Sequence, residues 1–96
     1  MKSAASDLKI HIEKPAPEAL MTLGVESWPI WSKGVSIFAW HYDEEEACYF
    51  LEGEVTVKTP FEEVTIQKGD LVTFPQGLSC TWRVLKPVRK HYRFGR

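Results

Sequence analysis

Signals for tight turns recur along most of this 96-residue chain, and the segments between them are short. Glycine, proline and acidic residues mark these turns, for example at Gly34, Gly53 and residues 68–70. The intervening segments are rich in β-branched and aromatic residues, which favour extended strands. Turns spaced about every 8–12 residues are typical of a β-sandwich or β-barrel. We therefore predict an all-β protein with roughly eight or nine strands.

A few local signals fix the order of the predicted elements. Proline near the start and glycine at the end predict one or two helical turns over residues 17–24. Pro29 makes a central strand unfavourable in residues 25–33, and the tryptophans there suggest a segment laid across apolar surface. Glu52-Gly53 is predicted to join two strands as a tight connection. Strands are predicted over residues 8–12, 34–42, 47–51, 55–59, 64–67, 71–74, 80–85 and 88–94.

The predicted strand at residues 47–51 (Ala-Cys-Tyr-Phe-Leu) does not alternate between apolar and polar side chains. A strand with one solvated face normally alternates. Both faces of this strand must therefore be covered, one by the core and the other by the N-terminal segment or a second subunit. We expect a homodimer from this pattern.

Charge is unevenly distributed although the net charge is only −1. Residues 43–63 contain eight acidic side chains and Lys58, whereas residues 83–96 contain six basic side chains and no acidic one. We expect these two regions to meet within the fold or across a dimer, with the basic region forming a strand. The balanced composition favours neither nucleic acid nor an anionic membrane as a partner.

The length predicts one domain covering residues 1–96. Two cysteines, Cys48 and Cys80, are too few for a disulfide scaffold. The first residues lack the apolar segment of a secretory signal, and no apolar run has the length of a membrane span. We therefore expect a soluble cytoplasmic protein with reduced thiols.

Two sets of residues resemble the two sequence motifs of the cupin family. Glu46, followed after six residues by Gly53, resembles the second half of the first motif. Residues 69–80, with the pattern Gly, five residues, Pro-Gln-Gly, two residues, Cys, resemble the second. The resemblance covers roughly residues 34–85.

Three further segments narrow this resemblance: Trp-Pro-Ile-Trp at 28–31, Cys-Tyr-Phe-Leu-Glu-Gly at 48–53, and Lys-Pro-Val-Arg-Lys-His-Tyr at 86–92. They are similar to segments of the small single-domain, RmlC-like cupins related to the cupin domain of ureidoglycine aminohydrolase. The resemblance implies a jelly-roll β-barrel whose interior holds a metal or a small ligand.

Metal-binding cupins take two histidines and a glutamate from the first motif and a histidine from the second. In this sequence Glu46 matches the glutamate and Cys80 matches the last histidine. The two earlier positions fall on Trp40 and Tyr42 in the shorter spacing of the motif, or on Ala39 and His41 in the longer one. Tryptophan and tyrosine are poor ligands for a transition metal. We therefore expect no metal cofactor.

One alternative interpretation retains a metal site inside the barrel. A one-residue change of register exchanges the two faces of a strand, and the pattern of residues 34–42 does not decide which face is inward. If His41 faced inward, then His41, Glu46 and Cys80 would form a three-ligand metal site with an open position.

Without a metal, Glu46 and Cys80 are the candidate catalytic residues. Glu46 is either a hydrogen-bonded carboxylate at the barrel mouth or a general acid or base whose pKa is raised by apolar walls. Cys80 is either an inert buried thiol or a nucleophile, which would need His41 or Lys90 nearby to form the thiolate. Cys48 is predicted to be a core residue.

Aromatic residues are abundant, with four tryptophans in the chain. We predict a ligand pocket formed by Trp40, Tyr42, Glu46, Cys80 and Trp82, suited to a flat or ring-shaped sugar-like or nitrogenous metabolite. The predicted function is thus small-molecule binding. The alternatives are a metal-dependent enzyme of the ureidoglycine aminohydrolase type and a structural cupin whose cavity is closed by Trp40 and Tyr42.

Overall fold

The computed structural model describes residues 8–95, whose strands form one seven-stranded antiparallel sheet. The first residues, where no secretory signal is expected, and Arg96 of the basic region lie outside the described residues. The predicted all-β class with a short N-terminal helix is confirmed. The elements in chain order are β1 (His11–Glu13), α1 (Pro17–Leu23), a 3₁₀ helix (Val25–Ser27), β2 (Ile30–Lys33), β3 (Ser36–His41), β4 (Glu46–Lys58), β5 (Glu63–Gln67), β6 (Leu71–Phe74) and β7 (Ser79–Phe94).

The two longest strands, β4 and β7, organise the sheet by pairing with each other along most of their length. The other edge of β7 pairs with β2 and β3, whereas β4 also pairs with β5 and β6. Alternate side chains of both strands are buried, including Phe50, Val57, Trp82 and Val84. They form one hydrophobic core with side chains of the shorter strands.

Gly53 does not form the hairpin predicted from the sequence. It lies inside the continuous strand β4, where the pairing with β7 is irregular between Phe50 and Val55. Gly53 has a φ of 101°, and a Cβ there would collide with the backbone of Pro87 and Val88. The glycine therefore permits a bulge and a close backbone approach rather than a turn between two strands.

β7 also continues through a position that was predicted to separate two strands. Pro87 lies opposite the bulge at Gly53, between the paired positions Lys86 and Arg89. On the other edge of β7, the pairing with β3 ends at Val84 and the pairing with β2 starts at residue 88. Pro87 therefore lies where neither the pairing with β4 nor the pairing with β2 and β3 requires a backbone N–H group. The long strand can thus contain proline.

The segment at residues 25–33 is more regular than predicted. It contains the 3₁₀ helix and then β2, which pairs with β7. Pro29 comes just before β2, so it removes no hydrogen bond from the strand. The preceding helix α1 begins at Pro17 and is followed by Gly24 in the left-handed conformation, as the sequence predicted. With seven residues, α1 is too short to cross a membrane, and no other described helix is long and apolar enough to do so.

Both faces of β4 are covered, as its non-alternating sequence predicted. Cys48 and Phe50 enter the main core. On the opposite face, Tyr49 packs against a smaller cluster that includes Val25 and Trp28. The N-terminal segment therefore supplies at least part of the predicted cover, and the second subunit stays a prediction.

The acidic and basic regions meet within the fold, because antiparallel pairing places β4 against β7. Three ion pairs join these strands: Glu46 with Lys90, Glu52 with Arg89, and Glu54 with Lys86. The first pair is buried, whereas the other two are largely solvent-accessible. The acidic and basic regions were expected to meet either within the fold or across a dimer, and the first of these is confirmed.

Candidate functional site

The orientation of β3 decides which of its side chains face the interior. Phe38 and Trp40 of β3, together with the following Tyr42, line an internal cavity. His41 points the other way: its side chain is 54% exposed, and its Nδ1 lies 2.7 Å from Ser79 Oγ. A three-ligand metal site of His41, Glu46 and Cys80 would need His41 to face the interior. In the structure the opposite face of β3 does so.

The cavity has a volume of about 140 Å³ and is partly open to solvent. Its walls are almost entirely aromatic, and its charged side chains are a carboxylate and an amine. This composition is typical of a small-molecule site, in which a few polar groups orient a ligand against apolar walls. The residues around the cavity are Trp31, Phe38, Trp40, Tyr42, Glu46, Trp82, Lys90, Tyr92 and Phe94.

Trp82 holds the aromatic walls together. Its ring stacks on Phe38 with centroids 5.8 Å apart and meets Trp31 edge to face at 5.7 Å. Its indole Nε1 donates a hydrogen bond of 3.2 Å to the Tyr42 hydroxyl. Tyr42 in turn stacks on Phe74 with centroids 4.8 Å apart. These contacts fix Tyr42 and Trp82 as rigid walls.

Trp40 differs from the other walls because it is 48% exposed. It lies edge to face with Tyr42, with ring centroids 6.4 Å apart. Phe94, at the end of β7, is similarly exposed. Both rings therefore border the opening of the cavity, where they can contact a ligand that enters.

A buried ion pair forms the polar part of the cavity wall. Lys90 Nζ donates a hydrogen bond of 2.9 Å to Glu46 Oε2, and both side chains are 5% exposed. The same Nζ lies 3.0 Å from Cys48 Sγ, which in turn donates to Glu46 Oε2 at 3.2 Å. An amine, a thiol and a carboxylate are thus in mutual contact beside the cavity.

Three aromatic rings surround the Lys90 ammonium. Its Nζ lies 5.0 Å from the ring centroids of Trp31 and Trp82, and 5.9 Å from that of Phe50. The negative faces of aromatic rings attract a cation at these distances. Together with Glu46, these rings compensate for much of the solvation that the charge loses on burial.

Burial determines the protonation of the nearby groups. Burial alone lowers the pKa of Lys90, but Cys48 and Glu46 outweigh it, so the pKa lies above its ordinary value and the amine is charged at neutral pH. Burial raises the pKa of Cys48 and of Tyr42, which are both neutral at this pH. Burial also raises the pKa of the Cys80 thiol to about 11, although contact with Trp82 lowers it.

The side chains at the positions of the cupin metal ligands are not suited to bind a transition metal. At the matching positions, Trp40 and Tyr42 offer aromatic walls, and Glu46 already binds the Lys90 ammonium. Among the described residues, no three His, Cys, Asp or Glu side chains are grouped so that they could hold a metal ion. A transition-metal site needs three or four converging donors.

The structure brings most of the predicted site residues together. Trp40, Tyr42, Glu46 and Trp82 all line the cavity. Cys80 does not line it; the thiol is buried in the core on the same face of β7 as Trp82.

The sequence analysis missed several other residues of the cavity. Trp31, Phe38, Tyr92 and Phe94 line it, and so does Lys90, which had been considered only as a partner for Cys80. A signal for Lys90 was present in the sequence. In the alternating strand β7 it shares a face with Val88 and Tyr92, so a lysine occupies a position that faces the core.

Comparison with known proteins supports the fold and the family. The sequence matches the family model described as EutQ-like cupin domain over residues 20–92. The crystal structure of a DUF861 family protein from Thermotoga maritima is 59% identical, covering 90% of this chain and 99% of that one, with a TM-score of 0.88. Curated proteins gave no match.

Two proteins named EutQ are more distantly similar. A putative ethanolamine utilization protein Q from Salmonella typhimurium LT2 is 26% identical, covering 69% of this chain and 54% of that chain, with a TM-score of 0.63. The EutQ protein from Clostridium difficile is 18% identical, covering 99% of this chain and 80% of that chain, with a TM-score of 0.65. The latter similarity supports the fold alone.

The family match covers most of the chain, and the similarity to the Thermotoga maritima structure covers 90% of it. The jelly-roll fold expected from the two sequence motifs is therefore confirmed. This chain belongs to the family of EutQ-like cupin domains.

Proposed function

We propose that this protein binds one small, uncharged, ring-shaped metabolite in the aromatic cavity. The observation that carries the proposal is the combination of aromatic walls with the buried Glu46–Lys90 pair. Aromatic rings stack on flat or ring-shaped molecules, and a few buried polar groups select their orientation.

The size of the cavity supports a single small ligand. A water molecule occupies about 30 Å³ in the liquid. The cavity volume of about 140 Å³ therefore corresponds to roughly five waters. This space suits one five- or six-membered ring, and a longer ligand would extend through the opening between Trp40 and Phe94.

Lys90 supplies a hydrogen-bond donor for the ligand. A lysine ammonium has three N–H donors, and Glu46 and Cys48 accept two of them. Among the residues that the structure describes, the third N–H has no hydrogen-bond acceptor. We propose that it binds a carbonyl or hydroxyl oxygen of the ligand, while the Glu46 carboxylate accepts a hydrogen bond from a ligand O–H or N–H.

The ion pair also favours an uncharged ligand. Glu46 and Lys90 neutralise each other, so the cavity wall has no net charge to attract an ion. A second buried ion would need its own partner, because burying an unpaired charge is costly. Neutral sugar-like compounds and neutral nitrogenous rings both satisfy this requirement.

A catalytic role for Glu46 and Cys80 stays a prediction. Glu46 lines the cavity and can exchange a proton with a ligand. Cys80 has weaker support, because its thiol is held neutral and does not line the cavity. A thiol reacts as a nucleophile mainly in its thiolate form.

The two alternatives have less support. A metal-dependent enzyme of the ureidoglycine aminohydrolase type would need donors that are not grouped among the described residues. A structural cupin with a closed cavity would need Trp40 to fill the space, whereas Trp40 is exposed beside an open cavity.

A ligand screen with a matched pair of variants tests the proposal. Thermal unfolding and calorimetry are measured with monosaccharides, lactams and nitrogen heterocycles, in each case with charged analogues of similar size. We expect at least one neutral ring to bind and raise Tm. We expect Trp40→Ala to weaken that binding at least tenfold and Phe61→Ala, which removes an equally exposed ring that does not line the cavity, to leave it unchanged.

Two outcomes would overturn the proposal. One is that no neutral ring of any class binds at millimolar concentration. The other is that binding requires an added divalent metal and disappears with a chelator, which would restore the metal-dependent alternative.

A further inference from the structure

The Cys48 thiol, which contacts Lys90, is a buried group that the ligand binding proposed above does not use directly. Cys48 does not line the cavity; it is fully buried behind Lys90. Its Sγ lies 3.0 Å from Lys90 Nζ, so the two atoms are in direct contact. Glu46 Oε2 is within hydrogen-bond distance of both, at 2.9 Å from the amine and 3.2 Å from the thiol.

We propose that Cys48 and Lys90 are a covalent modification site, at which dioxygen joins them through a single bridging oxygen atom. The product is an N–O–S cross-link between Lys90 Nζ and Cys48 Sγ. Bridging the two atoms needs only a slight shortening of the separation already present. The backbone need not move, because the two side chains are already in contact across the paired strands β4 and β7.

The reaction balances with dioxygen as the oxidant. A neutral amine, a thiol and one molecule of O₂ give the N–O–S bridge and one molecule of water. One N–H bond, the S–H bond and the O–O bond break; one N–O bond and one S–O bond form, and the two released hydrogens form the O–H bonds of the water. Nitrogen and sulfur are oxidised and both oxygen atoms are reduced. Lys90 first transfers its extra proton to Glu46, its hydrogen-bonded acceptor.

The surroundings favour this product over other oxidation products of cysteine. Sulfenic acid formation and disulfide exchange begin with a thiolate that is accessible to a reagent, whereas burial keeps Cys48 neutral. Dioxygen is small and apolar, so it can reach the pair through the aromatic cavity. Cys80, although also buried and free, has no comparable amine contact among the described hydrogen bonds.

The cross-link would change the cavity wall. It converts the ammonium to an uncharged nitrogen, so Glu46 loses the positive partner that it has in the reduced protein. Of the three N–H groups of the ammonium, only one remains on the cross-linked nitrogen. Cross-linking would therefore alter ligand binding, but its formation depends only on the three contacting side chains and not on any ligand.

Intact-mass spectrometry of the full chain, before and after exposure to oxygen, tests the proposal. We expect a species that has gained one oxygen and lost two hydrogens, and that returns to the original mass with a thiol reductant. Digestion should give one cross-linked pair of peptides containing Cys48 and Lys90. The species should be lost in Cys48→Ser and Lys90→Met and retained in the matched control Cys80→Ala.

A second measurement uses the wild-type chain alone, in case a variant fails to fold. After oxidation and denaturation, iodoacetamide should label Cys80 but not Cys48, and a reductant should restore labelling of Cys48. The proposal is overturned if oxidation adds oxygen without loss of hydrogen, removes two hydrogens without adding oxygen, or leaves the mass unchanged. It is also overturned if Cys80→Ala abolishes the species.

Discussion

At the residue scale, the charge of Lys90 is the most consequential feature of the cavity. A buried ammonium is tolerated only with partners that offset the loss of water. Here the partners are the Glu46 carboxylate, the Cys48 thiol and the faces of Trp31 and Trp82. Removing one partner should therefore cost far more than removing a partner from an exposed pair.

We predict that Glu46→Gln lowers the free energy of unfolding by about 3–5 kcal/mol, because it leaves Lys90 charged and unpaired in the core. Urea denaturation measures this change. The matched control is Glu52→Gln, which breaks the exposed pair with Arg89 and should cost less than about 1 kcal/mol.

The double variant Glu46→Gln, Lys90→Met removes both charges. It therefore separates the contribution of the ion pair to stability from that of the surrounding packing. It should lose less stability than Glu46→Gln alone, since no charge remains buried. Equal losses for Glu46→Gln and Glu52→Gln would show that Lys90 is not held as a buried cation.

The thiol of Cys80 gives a prediction for alkaline pH. Its pKa is raised from 9.0 to about 11 in the folded protein, so folding favours its protonated form. The contribution to stability is complete below pH 9 and is lost as pH rises towards 11. Cys48, Tyr42 and Lys90, whose pKa values are also raised, act in the same direction, Cys48 from about pH 9 and Tyr42 from about pH 10.

We therefore expect the free energy of unfolding to fall between pH 9 and pH 11, and to fall less steeply in Cys80→Ala. Urea denaturation at several pH values measures both slopes. Parallel slopes in the two proteins would mean that Cys80 does not titrate differently in the folded and unfolded states.

At the element scale, the irregular pairing of β4 with β7 positions the ion pair. The bulge around Gly53 and the proline at residue 87 lie opposite each other. Regular pairing resumes on the side that holds Glu46, Cys48 and Lys90. The register there determines that Lys90 reaches Glu46.

We predict that Gly53→Ala destabilises the protein more than Gly69→Ala. Both glycines have positive φ, which costs about 1–2 kcal/mol in other residues. A Cβ at Gly53 also meets the Pro87 backbone, whereas a Cβ at Gly69 meets no atom within 4 Å. Thermal or urea unfolding compares the two variants, and equal losses would contradict the close approach at Gly53.

The sequence predicted the helix and most short strands, but it missed β2 and divided each long strand in two. Glycine and proline mark turns in most β-proteins, and at Gly53 and Pro87 they instead mark a bulge. The two residues are far apart in sequence, so only the pairing of β4 with β7 reveals their shared role. β6 (Leu71–Phe74), which has neither residue inside it, was predicted at its observed bounds.

The candidate site was predicted in part for a similar reason. Trp40, Tyr42, Glu46 and Trp82 lie on the segments that contain the motifs, so their proximity followed from the resemblance. Lys90 lies on the last strand and is brought to Glu46 by the register of β4 and β7. The sequence showed that Lys90 lies on an apolar face of its strand, but it did not show that Glu46 is its partner.

At the scale of the whole molecule, dimerisation stays a prediction. Tyr49 and Leu51 of β4 border a groove beside α1, next to the exposed side chain of Met21. Apolar surface of this kind favours association with a second copy. Sedimentation velocity should show a dimer, and a monomer at high concentration would contradict the prediction.

The ligand cavity is the central claim, and the four tryptophans allow a direct test. Trp31, Trp40 and Trp82 line the cavity, whereas Trp28 is buried in the separate cluster with Val25. Their indole N–H signals in a nitrogen-15 NMR spectrum, assigned with single Trp→Phe variants, report on each position during titration with neutral ring compounds. We expect one of these compounds to shift the three cavity signals and to leave the Trp28 signal in place. No shift with any compound, or equal shifts at Trp28, would contradict the proposed cavity.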